Sequence, residues 1–283
     1  MIGIFDSGSG GLSVLREILR ILPKEKYVYY SDNANCPYGE KSVEFIRNRA
    51  REITRLLISK GAQIIVVACN TATAAAISVL REEFPVKFIG MEPAVKPAAL
   101  SSKTGVIGVL ATAGTLKASR YLNIKEMFGD GTKIAEHVGE GFVELVENGI
   151  LDGPEAEETV RKSVLPLVAA GADRIVLGCT HYPFLRKVIE RVAGPGVQVI
   201  DPAPAVARHL AEVMKQEGLL DHEYSDVPAA AEPVTEGQAA GEPEAAHPAA
   251  EIELIASGPE LPARRLLDTI ISGHAGRQTA TKA

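Results

Sequence analysis

The chain has 283 residues, 46% hydrophobic and 23% charged, with a net charge of −6, an ordinary globular composition with room for one large or two medium domains. No basic block of five or more residues occurs, which argues against a nucleic-acid partner, and no apolar run approaches the roughly 18 residues of a membrane span. The first residues lack the basic and apolar stretches of a secretory signal, and three scattered cysteines form no disulfide framework, so a cytoplasmic, reducing setting with free thiols is expected.

Residues 1–6 read as a strand that delivers Asp6 to the turn Ser7-Gly8-Ser9-Gly10-Gly11. Apolar residues at helical spacing follow (Leu12, Leu15, Ile18, Leu19, Leu22) and stop before Pro23. The glycines let backbone N–H groups approach an anion, phosphate or carboxylate alike. As a dinucleotide fingerprint the turn is imperfect, with Ser13 at the third glycine position. Asp32 lies at a plausible distance for a ribose contact, which keeps the nucleotide reading open.

A second strand covers 27–31, and 32–39, DNANCPYG, is a turn-rich loop carrying Cys36, with Tyr38 and Gly39 at its tip. An amphipathic helix over 42–60 ends at Gly61. The β-branched run from Ile64 ends in Cys69 and leads into a helix over 71–84, and a strand over 86–90 ends at Met91-Glu92-Pro93. This βαβαβαβ order predicts a doubly wound parallel sheet. A connecting helix over 95–100 crosses to a second block. There a strand over 105–110 ends in the polar turn Ala111-Thr112-Ala113-Gly114-Thr115, which resembles the earlier strand ends. A helix over 116–127, a strand over 133–136, and helices over 141–148 and 154–170 come next, the last two each followed by glycine. The strand 175–177 leads to Cys179, then a helix over 184–192, a strand over 197–200 and a helix over 204–217.

Residues 221–250 hold nine Ala, four Pro, seven acidic residues and no Lys, Arg, Ile, Leu, Met or Phe. Such a segment cannot bury enough apolar surface to offset ordering entropy and is expected to be disordered. A strand over 252–256 is expected to return to the first sheet, a helix covers 262–271, and 274–283 should fray. The expected fold class is α/β: two doubly wound domains with mostly parallel sheets, 1–94 plus 205–273 and 95–204, and the active site in the cleft between them.

Cys69 and Cys179 each end a buried strand just before a helical pattern, where open α/β sheets hold ligands and where a helix N-terminus favours thiolate. Free cysteine is also a common core filler. Two thiols in matched contexts have a chemical use: inverting a stereocentre through a planar carbanion needs a base on one face and an acid on the other. His181 is the candidate orienting partner for one thiol and Asp6 for the other, with loop satisfaction and helix capping as their structural alternatives. Ser7, Asn70, Thr71 and Thr180 supply short hydrogen-bonding groups beside the thiols, and Glu147 alone reads as a solvated side chain. Other uses stay open: a Cys179–His181 amidase would leave the second thiol idle. A zinc site from Cys36, Cys69, Cys179 and His181 lacks paired-ligand spacing, and a disulfide switch conflicts with the inferred compartment.

Asp6-Ser7-Gly8-Ser9-Gly10-Gly11-Leu12, Pro37-Tyr38-Gly39, Cys69-Asn70-Thr71-Ala72-Thr73, Glu92-Pro93 and Gly178-Cys179-Thr180-His181-Tyr182-Pro183 together resemble the motif set of the bacterial glutamate racemases, in the cofactor-independent aspartate/glutamate racemase superfamily. The resemblance runs from residue 1 to about 218 and resumes near Ile252. It implies two α/β domains with the active site between them and glutamate as the small-molecule substrate; closure of the domains over the ligand is expected separately, because a carbanion without an electron sink needs water excluded. It also implies interconversion of the L and D forms, a supply of D-glutamate for peptidoglycan synthesis, and no pyridoxal phosphate, metal or nucleotide. By position, Cys69 and Cys179 match the proton-transfer residues, Asp6 and His181 their assistants, and Glu147 a further acid. Asp6, Ser7, Tyr38, Gly39, Asn70, Thr71, Thr180 and His181 match substrate-binding positions. Ser9 departs from the family's usual apolar residue, commonly Val, and Asn35 from a frequent basic one. An aspartate or broad-spectrum racemase, or a non-catalytic regulator on the same fold, are the alternatives, and a homodimer is an open expectation.

Overall fold

The computed structural model describes residues 1–92, 94–128, 131–220 and 250–279. The disorder expected over 221–250 therefore falls, apart from Ala250, outside the described residues, as does Pro93. The first block runs β1 (Ile2–Asp6), α1 (Leu12–Ile21), β2 (Lys26–Ser31), α2 (Val43–Ser59), β3 (Ile64–Val67), α3 (Asn70–Glu83) and β4 (Lys87–Gly90). The second runs α4 (Val95–Ser101), β5 (Val106–Ala111), α5 (Ala113–Lys117), α6 (Ser119–Phe128), β6 (Lys133–Val138), α7 (Phe142–Glu147), α8 (Pro154–Ala169), β7 (Arg174–Gly178), α9 (Arg186–Ala193) and β8 (Gln198–Ile200). The chain closes with α10 (Ala203–Gln216), β9 (Glu251–Ala256) and α11 (Leu261–Thr279).

The strands form two sheets, ordered β4-β3-β1-β2-β9 and β6-β5-β7-β8, and every strand pair is parallel. Helices cover both faces, so β1 and β3 are buried at every position. That burial explains the continuous rather than alternating apolar runs. β9 pairs with β2, so the strand after residue 250 sits in the first sheet. One apolar cluster joins the sheets: Ile4, Leu15 and Val66 belong to the same buried cluster as Leu110, Ile175 and Leu177.

In each sheet the chain reverses its direction of travel after its second strand. It lays β2 on one side of β1 and then β3 on the other; it lays β6 on one side of β5 and then β7 on the other. A crevice opens beyond the C-terminal strand ends at each such reversal. Asp6 ends β1 and Cys69 follows β3, while Thr112 follows β5 and Cys179 follows β7. Each thiol thus stands at the reversal point of its own sheet.

Three elements differ from expectation. The helix expected over 116–127 is two helices, because Thr112 caps an earlier start by accepting the Thr115 N–H, and the chain turns out at Ala118 (ψ 136°). The helix after Cys179 begins as a 3-10 turn, Tyr182–Leu185, and becomes α-helical only at Arg186. The last helix continues through Thr279 where fraying is expected from 274, with no proline after Pro262 to stop it; the rest of that expectation, 280–283, falls outside the described residues. Ile4 is fully buried at the centre of the first sheet. Ile4→Ala is expected to cost about 3 kcal/mol of stability, read as a shift in the urea midpoint; a cost below about 1 kcal/mol would mean that this layer is not tightly packed.

Candidate active site

The two reversal points face one cavity, lined by Ser7, Tyr38, Gly39, Cys69, Asn70 and Thr71 from the first sheet's loops and by Cys179, Thr180 and His181 from the second's. Pro37, Thr112 and Val143 complete it. Among the described residues, no charged side chain other than His181 lines the wall. Asp6 and Glu147 stand one layer behind.

Cys69 caps α3, its sulfur accepting the Ala72 N–H at 3.4 Å. The same sulfur contacts Ser7 Oγ at 3.8 Å, and Ser7 Oγ in turn reaches Asp6 Oδ1 at 3.5 Å. Burial and the neighbouring Asp6 charge push the Cys69 thiol well up, outweighing the helix N-terminus, and charge on Cys179 adds to the rise. Burial likewise raises Asp6, against the His181 charge and the Gly11 N–H. The resting form of this arm is therefore the neutral thiol.

The Cys179 arm is built differently. No α-helix starts beside this sulfur; instead His181 Nδ1 lies 3.8 Å from Cys179 Sγ. His181 Nε2 lies 2.7 Å from Glu147 Oε1. Burial would lower the imidazole, but its bonds to Cys179, Cys36 and Glu147 win and hold it protonated well above its ordinary range. Burial would raise Glu147, but hydrogen bonds from His181 and Ser9 hold it down. A Cβ on Gly10 would sit 2.3 Å from His181 Nδ1, so only glycine lets the ring lie against the turn.

The glycine turn does cradle anions, but they are the protein's own carboxylates. Gly11 N–H donates to Asp6 Oδ2 at 2.7 Å, and Ser9 donates to Glu147 Oε1 through its N–H at 2.7 Å and its hydroxyl at 2.9 Å. Asp32 is also committed, accepting from Arg49, Tyr38 and Asn35. Burial alone would raise Asp32, and those bonds hold it low instead. Neither feature is free for a nucleotide. Tyr38 is buried, not at an exposed tip, and lends the cavity its ring while its hydroxyl serves Asp32 at 2.5 Å.

Asn70 is the clearest ligand-directed group. It is 5% exposed, lines the cavity, and neither its Oδ1 nor its Nδ2 has a partner. A buried amide left unpaired is costly, and a substrate carboxylate or ammonium would satisfy it. Thr71 shares a hydroxyl cluster with Thr112 and Thr115 at 3.0–3.3 Å, one that ties α3 to α5. Sequence reasoning missed Thr112 and Ser9. The strand-end turn at 111–115 carried a signal for the first. Ser9 stood out only as a departure from the family's usual apolar residue, and nothing local pointed to Glu147, since the bond spans 138 residues.

Ser9→Ala removes one hydrogen bond to an ionised carboxylate and is expected to cost about 1.5 kcal/mol by chemical denaturation; an unchanged midpoint would mean that the hydroxyl bond carries no weight. The raised His181 gives a second expectation. Its stabilisation is complete below the unfolded value of 6.5 and is lost as pH rises through the higher folded value. Wild-type midpoints should fall on the alkaline side, and His181→Gln should flatten that limb.

The sequence matches the Asp/Glu/hydantoin racemase family over residues 2–210. A glutamate racemase of Methylococcus capsulatus is 50% identical over 219 residues, 77% of this chain and 81% of that one. The crystal structure of a glutamate racemase isoform from Bacillus anthracis superposes with a TM-score of 0.79 at 30% identity, covering 96% of this chain and 94% of that one. The Escherichia coli glutamate racemase, solved in complex with L-glutamate, gives 0.76 at 31% identity, covering 96% and 94%. With that match across its two-sheet core, the chain belongs to the Asp/Glu/hydantoin racemase family.

Proposed function

We propose that this protein interconverts L- and D-glutamate by proton transfer between two thiols, supplying D-glutamate for peptidoglycan synthesis. One observation carries the reading: Cys69 and Cys179, delivered by separate sheets, line the same cavity. In one direction a thiolate removes the Cα proton from one face while the opposing thiol donates its proton to the other face. The reverse reaction exchanges the two roles. Asp6 serves Cys69, partly through Ser7, and His181 with Glu147 behind it serves Cys179. The Asn70 amide, the hydroxyls of Ser7, Thr71 and Thr180, and the backbone at Tyr38 and Gly39 bind the substrate.

Carbanion formation without an electron sink needs fixed dipoles and exclusion of water, and the enclosed wall supports both. The membership of the two sheets supports a division into two domains, 1–94 with 205–273 and 95–204. Closure of one on the other over the ligand is part of the proposal. Three free cysteines support a cytoplasmic setting. Among the described residues no helix is long and apolar enough to cross a membrane. Leu100 on α4 and Met127 on α6 are exposed apolar side chains available to a homodimer contact.

The test is incubation of each glutamate enantiomer in heavy water without added cofactor. Optical activity should decay to zero as deuterium enters Cα. Cys69→Ser and Cys179→Ser should each slow racemisation by about 1000-fold or more. Full activity in either variant would remove the two-thiol mechanism, and turnover of aspartate in preference to glutamate would reassign the substrate.

A further inference from the structure

The proton transfer leaves one cysteine unused. Cys36 sits between the 3-10 turns Asn33–Asn35 and Tyr38–Glu40, partly exposed. Its sulfur points at the glycine turn: a Cβ on Gly8 would stand 3.0 Å from Cys36 Sγ and 2.3 Å from Glu147 Oε1. The absent side chain lets sulfur and carboxylate meet over that residue. One donor atom each of Cys36, Glu147 and His181 lies within 4.8 Å of the other two. Cys36 and Glu147 are partly exposed while His181 is buried. The cluster thus opens to solvent on the Cys36 side, and Cys36 is not part of the substrate cavity wall.

Thiolate, imidazole and carboxylate form a donor set that suits zinc, with its tolerance for sulfur, nitrogen and oxygen at about 2.0–2.3 Å. Magnesium and calcium prefer all-oxygen shells. Tetrahedral ligands at those bond lengths stand about 3.3–3.7 Å apart. His181 Nε2 and Glu147 Oε1, now 2.7 Å apart, would separate by less than about 1 Å, and the partly exposed Glu147 has room to do so. The Ser9 N–H and hydroxyl already orient the Glu147 carboxylate, the kind of outer support that metal ligands use.

We propose that Cys36, Glu147 and His181 form an inhibitory site for a borderline-soft divalent cation, best matched by Zn²⁺. Binding displaces the Cys36 thiol proton and the proton shared by His181 and Glu147. Both protons go to solvent, and water fills the fourth position. The ion then holds the imidazole and carboxylate that serve Cys179, and the reaction stops without the substrate cavity being occupied. The inhibitory half rests on the reading of Cys179 as a proton-transfer residue; the binding half does not.

The test uses the full chain, stripped of metal by a chelator and then titrated with Co²⁺ as a coloured stand-in for Zn²⁺, with Zn²⁺ as competitor. Wild type should take up one equivalent, with a thiolate-to-cobalt charge-transfer band that Zn²⁺ abolishes. Cys36→Ala and Cys36→Ser should keep the circular dichroism spectrum, and Zn²⁺ inhibition is read against each variant's own turnover in chelator. They should lose the band and weaken Zn²⁺ inhibition by more than the roughly 100-fold typical of an outer-shell loss. The Cys69→Ser/Cys179→Ser double variant, with Cys36 as its sole thiol, should retain the band, which keeps the test decisive if the Cys36 variants misfold. No band in wild type, no band in the double variant, or a band that survives in folded Cys36 variants would each overturn the site. A Cys36-dependent band in a protein that turns over no glutamate would uphold the site and fell the racemase reading; binding that leaves turnover unchanged would overturn the inhibition.

Discussion

The two halves of the site are held in register through one oxygen atom. Glu147 Oε1, at the end of α7 in the second block, accepts from His181 Nε2 and from both donors of Ser9 in the first block's glycine turn, all at 2.7–2.9 Å. Hydrogen bonds to an ionised acceptor are the short, strong kind. This one spans the two sheets and orients the imidazole that faces Cys179. A second bond, Ser13 Oγ to Thr180 O at 2.8 Å, fastens α1 to the loop beside the same sulfur. Together they set where the Cys179 arm stands relative to Cys69, and two-sided proton transfer depends on that spacing.

The two arms reach similar chemistry by unlike means. Cys69 has a helix N-terminus in its favour and burial beside a carboxyl against it, and burial wins. Cys179 has no α-helix beside it and relies on a cationic imidazole, itself stabilised by a carboxylate. A reversible racemisation ends with the proton inventory mirrored, the former base protonated and the former acid bare. Repeated turnover in one direction then requires the two sulfurs to re-equilibrate with solvent.

Much of this was legible in the chain. The β-branched runs ending at Cys69 and Cys179, the glycine turn after Asp6, and the strand resuming near residue 252 each carry a local signal of period or turn chemistry. Contacts set by distant partners were not legible. Glu147 alone read as a solvated side chain, because nothing near it in sequence announces His181 or Ser9. The glycine turn read as a ligand cradle, because its N–H groups do bind anions; that the anions are Asp6 and Glu147 is a tertiary fact. Tyr38 and Asp32 read as a loop tip and a ribose contact, and Arg49 on α2, 17 residues from Asp32, draws both into a buried network.

The wall holds no lysine or arginine although the proposed substrate is an anion, and the thiols explain why. A guanidinium about 6 Å from a sulfur, at an effective dielectric near 20, would favour thiolate by about 3 kcal/mol, or about two pKa units. Arg49 is accordingly spent on Asp32. Binding falls to neutral dipoles: the unpaired Asn70 amide, the hydroxyls of Thr71 and Thr112, and backbone N–H groups. Such dipoles hold an anion without shifting the sulfurs as far. The one cation that the described wall carries is the His181 imidazolium beside Cys179, so binding of the substrate's carboxylates rests on dipoles rather than on a lysine or arginine.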